Sequence, residues 1–338
     1  MAILTTQSDS VRAGTGTWQQ QMKWAIRDLN SLLRHLDLPP DPSLGAEATT
    51  DFPVFVPLPL LSRIRRGDVN DPLLRQVLPV RSEDDSSAGF SLDPLRETQA
   101  TLTPGLLQKY VGRVLLVATG VCAIHCRYCF RRHFPYGQSP ASIAQWEPAI
   151  ARIEADESIE EVILSGGDPL TMVDDRMGEL IGRLSQISQL KRLRIHTRLP
   201  IVIPQRVTSG LTEILSQCRL QTIVVIHANH ARELDDFVAE ALRRLSDVGV
   251  MLLNQTVLLR GVNDCEKALI DLSQRLLECQ VIPYYLHQLD PVLGTSHFEV
   301  PRERGLKLIE QMRAALPGYA IPRYVKELDG EPNKTILG

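Results

Sequence analysis

RVLLVATGVCAIHCRYC, residues 113–129, joins an apolar run to a short loop that carries three cysteines. The run at 113–119 is rich in valine and leucine, which is typical of a buried β-strand. Five similar runs follow it, at residues 161–164, 193–197, 222–226, 250–259 and 281–286. After the first gap these runs start roughly 30 residues apart, which is the length of one βαβ unit.

Helical patterns separate the apolar runs, for example at residues 234–245 and 267–277. Continuous apolar strands that alternate with helices predict a parallel sheet whose outer face is covered by the helices. Six such units predict an open, partial (β/α)6 barrel rather than a closed barrel of eight strands. We therefore expect an α/β fold with a helical N-terminal extension at 1–105, the barrel at 106–300, and a C-terminal helix and segment at 301–338.

A helical stripe marks the N-terminal extension. Apolar residues recur there at three- and four-residue steps, at Trp18, Met22, Ile26, Leu29, Leu33 and Leu36. Thr17 precedes the stripe as a candidate N-cap, and Pro39-Pro40 follows it as a stop signal. The sequence therefore predicts one helix between these two points. Prolines then divide residues 53–94 into short helices and loops.

Composition narrows the classes of function. Of the 338 residues, 43% are hydrophobic and 23% are charged, which excludes collagen, wholesale disorder and a coiled coil. A formal net charge of −3 supplies no broad basic field, which argues against a nucleic-acid partner. No apolar run approaches the ~20 residues that a membrane-spanning helix needs, and the N-terminus shows no secretory signal. We expect a cytoplasmic protein with reduced thiols and no membrane partner.

Polar residues gather directly after the predicted strands. They include the cysteine loop, SGGDP at 165–169, HTR at 196–198, HANH at 227–230 and HQLD at 287–290. In parallel α/β barrels, the loops at the carboxyl ends of the strands build the active site. The sequence therefore predicts a single site to which all six units contribute.

The cysteine loop has CxxxCxxC spacing through Cys122, Cys126 and Cys129. Three thiolates can hold three irons of a four-iron, four-sulfur cluster, which leaves the fourth iron open to a substrate. The alternative is a structural zinc site with His125 or His133 as the fourth ligand. Structural zinc commonly uses paired CxxC units, and the sequence has no partner pair, so we favour the cluster.

The cysteine loop and the SGGDP segment together resemble the radical S-adenosylmethionine (SAM) superfamily. In that family an aromatic residue precedes the last cysteine, as Tyr128 does here. A Gly-Gly-acid motif ends the second strand, as Gly166, Gly167 and Asp168 do. The resemblance implies that the open iron binds SAM and that these four residues contact it. Glycines let the backbone approach a ligand closely, and Asp168 would accept hydrogen bonds from the ammonium group of SAM.

Longer segments, over roughly residues 60–338, resemble the lysine 2,3-aminomutases. These segments are DPLLRQVLP, CRYCFRR, LSGGDPL, IHTRLPIVIPQRVT, NQTVLLRGVND and YYLHQLDPVLGTSHF. The family combines the cluster with pyridoxal 5′-phosphate (PLP), whose lysine follows a Pro-x-aromatic-Val segment near the end of the chain. Here PRYV at 322–325 leads to Lys334, with GEPN at 330–333 in place of the family's run of glycines. The resemblance also implies that Arg113 contacts the PLP phosphate.

The same resemblance assigns three substrate contacts. Arg131 matches the arginine that clamps the substrate carboxylate, and a planar guanidinium can do this through two parallel hydrogen bonds. Asp290 and Glu327 match two acids that hold the ε-ammonium group of lysine, with Glu327 standing where aspartate is usual. Two carboxylates around one cation favour a basic substrate.

Short-chain family members that make β-lysine for elongation factor P are the ones this sequence resembles most. This resemblance implies conversion of L-α-lysine to β-lysine, in which a radical removes a hydrogen from the β-carbon and the amino group moves from C2 to C3. It also implies a one-electron reductant such as flavodoxin and an elongation factor P ligase that uses the product. A homo-oligomer is compatible with the sequence.

The remaining cysteines are expected to bind no metal. Long family members bind zinc through a cysteine at the position of Cys265 and three more in a C-terminal tail. This sequence stops at Gly338 and has no tail cysteines. We therefore expect Cys265 to be a leftover thiol without zinc, and Cys218 and Cys279 to be buried and inert.

Three other functions stay open at this point. A free-standing lysine or arginine 2,3-aminomutase, without a link to translation, would carry the same motifs. A radical enzyme that modifies RNA would call for a basic face, which a net charge of −3 does not supply. A zinc-stabilised α/β binding protein without catalytic activity would use the cysteine loop as a structural site only.

Overall fold

A ten-stranded sheet forms the centre of the molecule, and its strands lie in the sheet in chain order. The computed structural model describes residues 13–45, 52–136 and 142–338. The strands are β1 (Thr101–Thr103), β2 (Leu106–Tyr110), β3 (Arg113–Thr119), β4 (Glu161–Gly166), β5 (Arg192–Thr197), β6 (Gln221–Ile226), β7 (Met251–Val257), β8 (Ile282–His287), β9 (Arg323–Lys326) and β10 (Thr335–Ile336).

Seven strands, β3 to β9, run parallel to one another. All six predicted strands are present close to their predicted bounds, which confirms the α/β class and the mostly parallel, open sheet. The sequence pattern does not predict the seventh strand, β9. It is only 4 residues long, and its polar ends flank just two buried residues, Tyr324 and Val325.

Antiparallel strands flank the parallel ones on both sides. β1 and β2 form a hairpin next to β3, and β10 pairs with β9. The sheet therefore crosses both predicted region boundaries, since β1 precedes residue 106 and β9 and β10 follow residue 300. These edge strands matter for the site, because β2 ends at Tyr110 and β10 begins directly after Lys334.

Helices connect the parallel strands and pack against the sheet. They are α1 (Trp18–Trp24), α2 (Leu29–His35), α3 (Leu58–Leu61), α4 (Pro72–Arg75), α5 (Ile143–Glu154), α6 (Asp174–Ser185), α7 (Leu199–Val202), α8 (Ser209–Ser216), α9 (Asp236–Asp247), α10 (Glu266–Glu278) and α11 (Arg302–Ala315). The helices predicted at 234–245 and 267–277 are α9 and α10. No helix in the described part of the chain is both long and apolar enough to cross a bilayer.

The predicted N-terminal helix is in fact two helices. Thr17 caps α1, as expected, and forms a capping box with Gln20. The helix then ends because Ile26 exchanges two backbone hydrogen bonds with Val56, at 2.8 and 2.9 Å. Asp28 caps the second helix by accepting a hydrogen bond from Ser31 N at 2.8 Å. The stripe of apolar residues continues through this break, which explains why periodicity alone predicts one helix.

The N-terminal helices share an apolar core with the barrel. Trp18 of α1 and Leu32 of α2 belong to the same buried cluster as Val114 and Leu116 of β3. Removal of this apolar surface from water holds the extension against the barrel. The extension thereby reaches the cysteine loop, which follows β3.

Candidate active site

Buried ion pairs fix the segment that carries the three cysteines. Arg127 and Arg132 both bind the buried carboxylate of Glu83. Arg127 also donates to the carbonyl of Phe52 at 2.7 Å, and Arg132 donates to that of Gly294 at 2.9 Å. Because buried charges are tolerated only when they are paired, these contacts hold the cysteine loop between the N-terminal extension and the loop after β8.

The three thiols lie close enough to influence one another's ionisation. Burial is the main factor that raises the pKa of Cys122, and Cys129, Asp168 and Cys126 raise it further. Burial and then Cys126 raise the pKa of Cys129 to about 12. Without a cation these two thiols therefore stay protonated at neutral pH, and metal binding would release their protons. A grouped set of three sulfur ligands fits an iron–sulfur cluster.

The two histidines considered as zinc ligands make other contacts. His125 Nδ1 lies 2.7 Å from the Pro53 carbonyl oxygen. His133 Nε2 lies 3.2 Å from the Leu293 carbonyl oxygen. A ring nitrogen that donates to a carbonyl carries a proton, so it cannot ligate a metal through that atom. Within the described ranges, no group of three or more histidine, cysteine or acidic residues is arranged to hold a single metal ion.

The carboxylate of Asp168 is fully occupied by hydrogen bonds within the protein. Oδ1 accepts from Leu170 N at 3.0 Å and from the Thr197 hydroxyl at 2.7 Å. Oδ2 accepts from the N–H groups of Arg198 and Leu199 at 2.7 and 3.0 Å. A carboxylate has about four acceptor positions, and all are filled here. Asp168 thereby joins the ends of β4 and β5, and its contact with the SAM ammonium group stays a prediction.

The two glycines of the SGGDP segment permit a close approach within the protein. A Cβ atom on Gly166, whose φ is +122°, would overlap the Thr119 carbonyl oxygen. One on Gly167 would overlap the Val121 carbonyl oxygen. The glycines thus let the end of β4 pack against the start of the cysteine loop. Their contact with SAM stays a prediction.

Tyr128 is held between an aromatic ring and a cation. Its ring meets Phe298 edge-on, with centroids 6.2 Å apart. The guanidinium carbon of Arg198 lies 5.5 Å from the Tyr128 ring centroid. Burial raises the pKa of Tyr128 well above its usual range, so the phenol stays neutral. The structure places the ring beside the cysteine loop, and its contact with SAM stays a prediction.

Arg131 is buried, and one edge of its guanidinium is already paired. Nε and Nη2 donate to the two carboxylate oxygens of Glu97, each at 2.7 Å. Nη1 donates to the Ser165 hydroxyl at 2.9 Å. Nη1 also donates to the Gly166 carbonyl oxygen at 3.4 Å, so the N–H of Nη2 that points away from Glu97 is the donor left for a substrate carboxylate. Sequence reasoning missed Glu97, because it lies far from the motifs in an irregular segment and shows no periodic signal.

Lys334 contacts Glu327 in this structure. Lys334 Nζ pairs with Oε2 of Glu327, and Tyr110 donates its hydroxyl proton to Oε1 at 2.8 Å. Lys109 Nζ lies 3.6 Å from the same Oε1. Burial alone would raise the pKa of Glu327, but Lys334, Lys109 and Tyr110 together hold it below its usual value. The predicted PLP lysine and the predicted second acid thus form one group, which also includes two residues of β2 that the sequence did not single out.

Asp290 lies near this group with one oxygen unpartnered. Oδ1 is buried and accepts no hydrogen bond from the described residues. Burial is the main factor that raises the pKa of Asp290 to about 7, and Glu327 raises it further, while Lys334 opposes the rise. A buried carboxylate without a full set of partners is costly unless a ligand supplies them. Its environment fits a cationic ligand.

Three histidines occupy the carboxyl ends of β5, β6 and β8. The Nε2 atoms of His196, His227 and His287 are buried and have no hydrogen-bond partner among the described residues. The rings of His196 and His227 meet edge-on with centroids 5.6 Å apart. Burial lowers the pKa of all three, that of His227 to about 4, so these imidazoles are neutral at pH 7. These imidazoles therefore place three polar groups without charge at this end of the sheet.

His196 also connects the two halves of the site. Burial, His227 and Arg194 lower the pKa of His196 most, and the charges of Lys334 and Arg131 lower it further. Arg131 in turn lowers the pKa of Cys129. The structure therefore brings the predicted PLP lysine, the predicted carboxylate clamp and the cysteine loop together at one end of the sheet.

Arg113 lies beside the lysine-bearing segment. Nη2 donates to Oδ1 of Asn333 at 3.2 Å, and the guanidinium carbon stacks 4.4 Å from the ring centroid of Tyr110. Asn333 directly precedes Lys334, so the cation faces the place where PLP is expected. A phosphate is a natural partner for a partly exposed arginine, and this contact stays a prediction.

The other cysteines differ in their exposure. Cys279 is buried, as expected, at 4% exposure. Cys218 is only half-buried, with Sγ 3.6 Å from the Ser185 hydroxyl, which corrects the expectation of full burial. Cys265 is exposed and precedes α10. That it binds no zinc stays a prediction.

Comparison with known proteins identifies relatives along almost the entire chain. The radical SAM superfamily model matches residues 116–273, which include the cysteine loop and the SGGDP segment. The L-lysine 2,3-aminomutase of Haemophilus influenzae is 45% identical over 320 residues, covering 94% of this chain and 95% of that protein. The L-lysine 2,3-aminomutase of Escherichia coli is 43% identical over 322 residues, covering 95% of this chain and 94% of that protein.

A longer relative shows the same similarity at lower identity. The L-lysine 2,3-aminomutase of Clostridium subterminale is 35% identical over 321 residues, which cover 94% of this chain and 77% of that protein. Together with a cysteine loop that fits a cluster, these matches decide the assignment. The chain belongs to the L-lysine 2,3-aminomutase family of radical SAM proteins.

Proposed function

We propose that this protein converts L-α-lysine to β-lysine and uses PLP in addition to the cluster and SAM. The observation that carries the proposal is the group formed by Lys334, Glu327 and Asp290 at the end of the sheet where Arg131 also lies. Lysine has one carboxylate and a distal ammonium group, and the site offers a guanidinium for the first and two carboxylates for the second. The named relatives act on lysine, which supports the same substrate here.

The residues present fit the groups that the family requires. Cys122, Cys126 and Cys129 would hold the cluster, and Lys334 and Arg113 would hold PLP. When bound, these groups supply the radical that removes a hydrogen from the β-carbon and the carrier on which the amine moves from C2 to C3. The protein's task is to orient the substrate and to keep competing groups away.

Glu327 has two successive tasks in this proposal. It holds Lys334 Nζ as an ammonium before any ligand binds, and it later offers the same carboxylate to the substrate. Once Lys334 no longer carries a positive charge there, the Glu327 carboxylate is free to pair with the substrate ε-ammonium. The hydrogen bond from Tyr110 keeps its orientation during this exchange of partners.

Asp290 and Arg131 bind the two ends of the substrate. The unpartnered Oδ1 of Asp290 accepts a hydrogen bond from the ε-ammonium, which also favours the ionised form of Asp290. Arg131 binds the carboxylate through the N–H of Nη2 that points away from Glu97, while Glu97 holds the edge formed by Nε and Nη2. Binding at both ends favours a substrate that carries a carboxylate at one end and an ammonium group at the other.

The wider role follows from the same resemblance. We propose a one-electron donor such as flavodoxin, and an elongation factor P ligase that consumes the β-lysine. The support is the near full-length similarity of this chain to relatives of about the same size. No zinc at Cys265 is expected, and metal analysis of protein with an intact cluster tests that expectation.

Anaerobic incubation tests the proposed activity. Reconstituted protein receives SAM, a reductant, PLP and one of lysine, arginine or glutamate, and the products are identified by chromatography and mass spectrometry. We expect β-lysine from lysine alone. Asp290→Asn should lose β-lysine formation, whereas Asp247→Asn, on the exposed face of α9, should retain it. Rearrangement of arginine in preference to lysine would favour the free-standing arginine enzyme instead.

A further inference from the structure

The side chain of Arg198 points at a cysteine of the loop. Arg198 follows β5 and is 5% exposed. Its Nη1 lies 2.7 Å from Sγ of Cys126. Of the three loop cysteines, only Cys126 accepts a hydrogen bond from a charged side chain within the described residues. This contact sets one thiol apart from the other two.

The rest of the guanidinium is anchored on the opposite side. Nη2 donates to Oε2 of Glu233 at 2.8 Å and to Oε1 of Gln76 at 2.6 Å. Glu233 is fully buried and accepts from the N–H groups of Asn229 and His230 at 2.9 and 3.0 Å. The arginine therefore has little freedom to turn away from the sulfur.

The backbone of Arg198 is held by a different residue. Asp168 accepts a hydrogen bond from Arg198 N at 2.7 Å, and this bond does not involve the side chain. The turn after β5 is therefore stabilised whether or not residue 198 carries a guanidinium. Glu233 and Gln76 hold the side chain so that one of its N–H groups points at Cys126, an expected cluster ligand. The side chain is therefore placed to act on the cluster and not only to stabilise the fold.

We propose that Arg198 is a positioning residue that sets the reduction potential of the iron–sulfur cluster through its hydrogen bond to Cys126. The inference depends on the cluster being bound by the three cysteines, and it does not depend on the identity of the amino acid substrate. Reduction adds a negative charge to a cluster and its thiolates. A cationic N–H donor stabilises the reduced form more than the oxidised form and so raises the potential.

Burial strengthens this effect and Glu233 limits it. Charge-assisted hydrogen bonds have more influence where water is excluded. The Glu233 carboxylate, on the far side of the guanidinium, offsets part of the positive charge. The two residues should therefore change the potential in opposite directions when each is neutralised separately.

The test is a redox titration of the cluster, monitored by electron paramagnetic resonance, on wild-type holoenzyme and variants. Arg198→Gln should reduce the ratio of reduced to oxidised cluster at the wild-type midpoint by about tenfold, which is a shift of about 59 mV to lower potential. Arg198→Lys keeps the charge but cannot contact both Cys126 and Glu233, so its midpoint should shift less than that of Arg198→Gln. Glu233→Gln should shift the midpoint upwards.

Arg206→Gln is the matched control. Arg206 is as buried as Arg198 and pairs with Asp174 at 2.8 Å, but it contacts no cysteine. Replacement of Arg206 by glutamine should leave the reduction midpoint of the cluster unchanged. An Arg198→Gln protein with full iron content and the wild-type midpoint would overturn the proposal. If the Arg198 variants assemble no cluster, the reduction midpoint of Glu233→Gln decides between the outcomes. A midpoint equal to or below that of the wild type would contradict the proposal.

The outcome is separable from that of the proposed function. A midpoint that shifts as expected in the Arg198 variants supports the inference even if the wild-type protein does not convert lysine. Wild-type protein that forms no four-iron cluster under reconstitution removes the basis of both. Lysine turnover with a midpoint indifferent to Arg198 removes only the inference.

Discussion

Replacement of Asp290 by asparagine should stabilise the folded protein while it abolishes lysine binding. Burial raises the pKa of this carboxyl from 3.8 to about 7. The folded state therefore binds a proton more tightly than the unfolded state between these two pH values, so the stability of the wild type falls as pH rises from about 4 to 7. Asparagine has almost the same shape and does not titrate.

The magnitude follows from the size of the shift. The difference between about 7 and 3.8 is about 3 pH units, and at ~1.36 kcal/mol per unit this amounts to ~4 kcal/mol as an upper limit above pH 7. Below pH 4 the carboxyl is protonated in both states, and the difference should vanish. Urea unfolding of both proteins without added lysine, at pH 5, 6, 7 and 8, measures this trend. An Asp290→Asn protein no more stable than wild type at pH 8 would refute the reasoning.

Three further substitutions test separate parts of the site. Glu97→Gln should raise the KM for lysine by about tenfold and change kcat less, because it weakens the two hydrogen bonds that hold Arg131. Glu160→Gln, which changes an exposed ion pair, is the control in the same steady-state kinetics. Lys334→Ala should retain the iron content of the wild type but lose the absorbance of bound PLP, and normal PLP binding would contradict the assignment. Cys126→Ala should prevent cluster assembly, as iron and sulfide analysis would show; full iron content would exclude this thiol as a ligand.

The parallel strands could be predicted from the sequence because each is a continuous apolar run. Strand β9 has no such run, since only Tyr324 and Val325 are buried between two polar residues. Its place in the sheet is fixed by pairing with β8, which is a tertiary contact. The break between α1 and α2 has the same origin, since the pairing of Ile26 with Val56 interrupts an unbroken apolar stripe.

The candidate site could be predicted only in part. The cysteine spacing and the family motifs single out residues that the structure brings together, from Cys129 to Lys334. The hydrogen-bond partners of those residues could not be predicted, because the partners come from distant segments without motifs. Glu97 occupies the fork of Arg131, and backbone N–H groups with Thr197 fill the acceptors of Asp168.

The most direct test follows the nitrogen itself. Holoenzyme supplied anaerobically with SAM, a reductant and L-lysine labelled with ¹⁵N at C2 should release β-lysine whose ¹⁵N is attached to C3, as NMR of the product would show. Retention of all label at C2, in protein that contains both its cluster and PLP, would contradict the account.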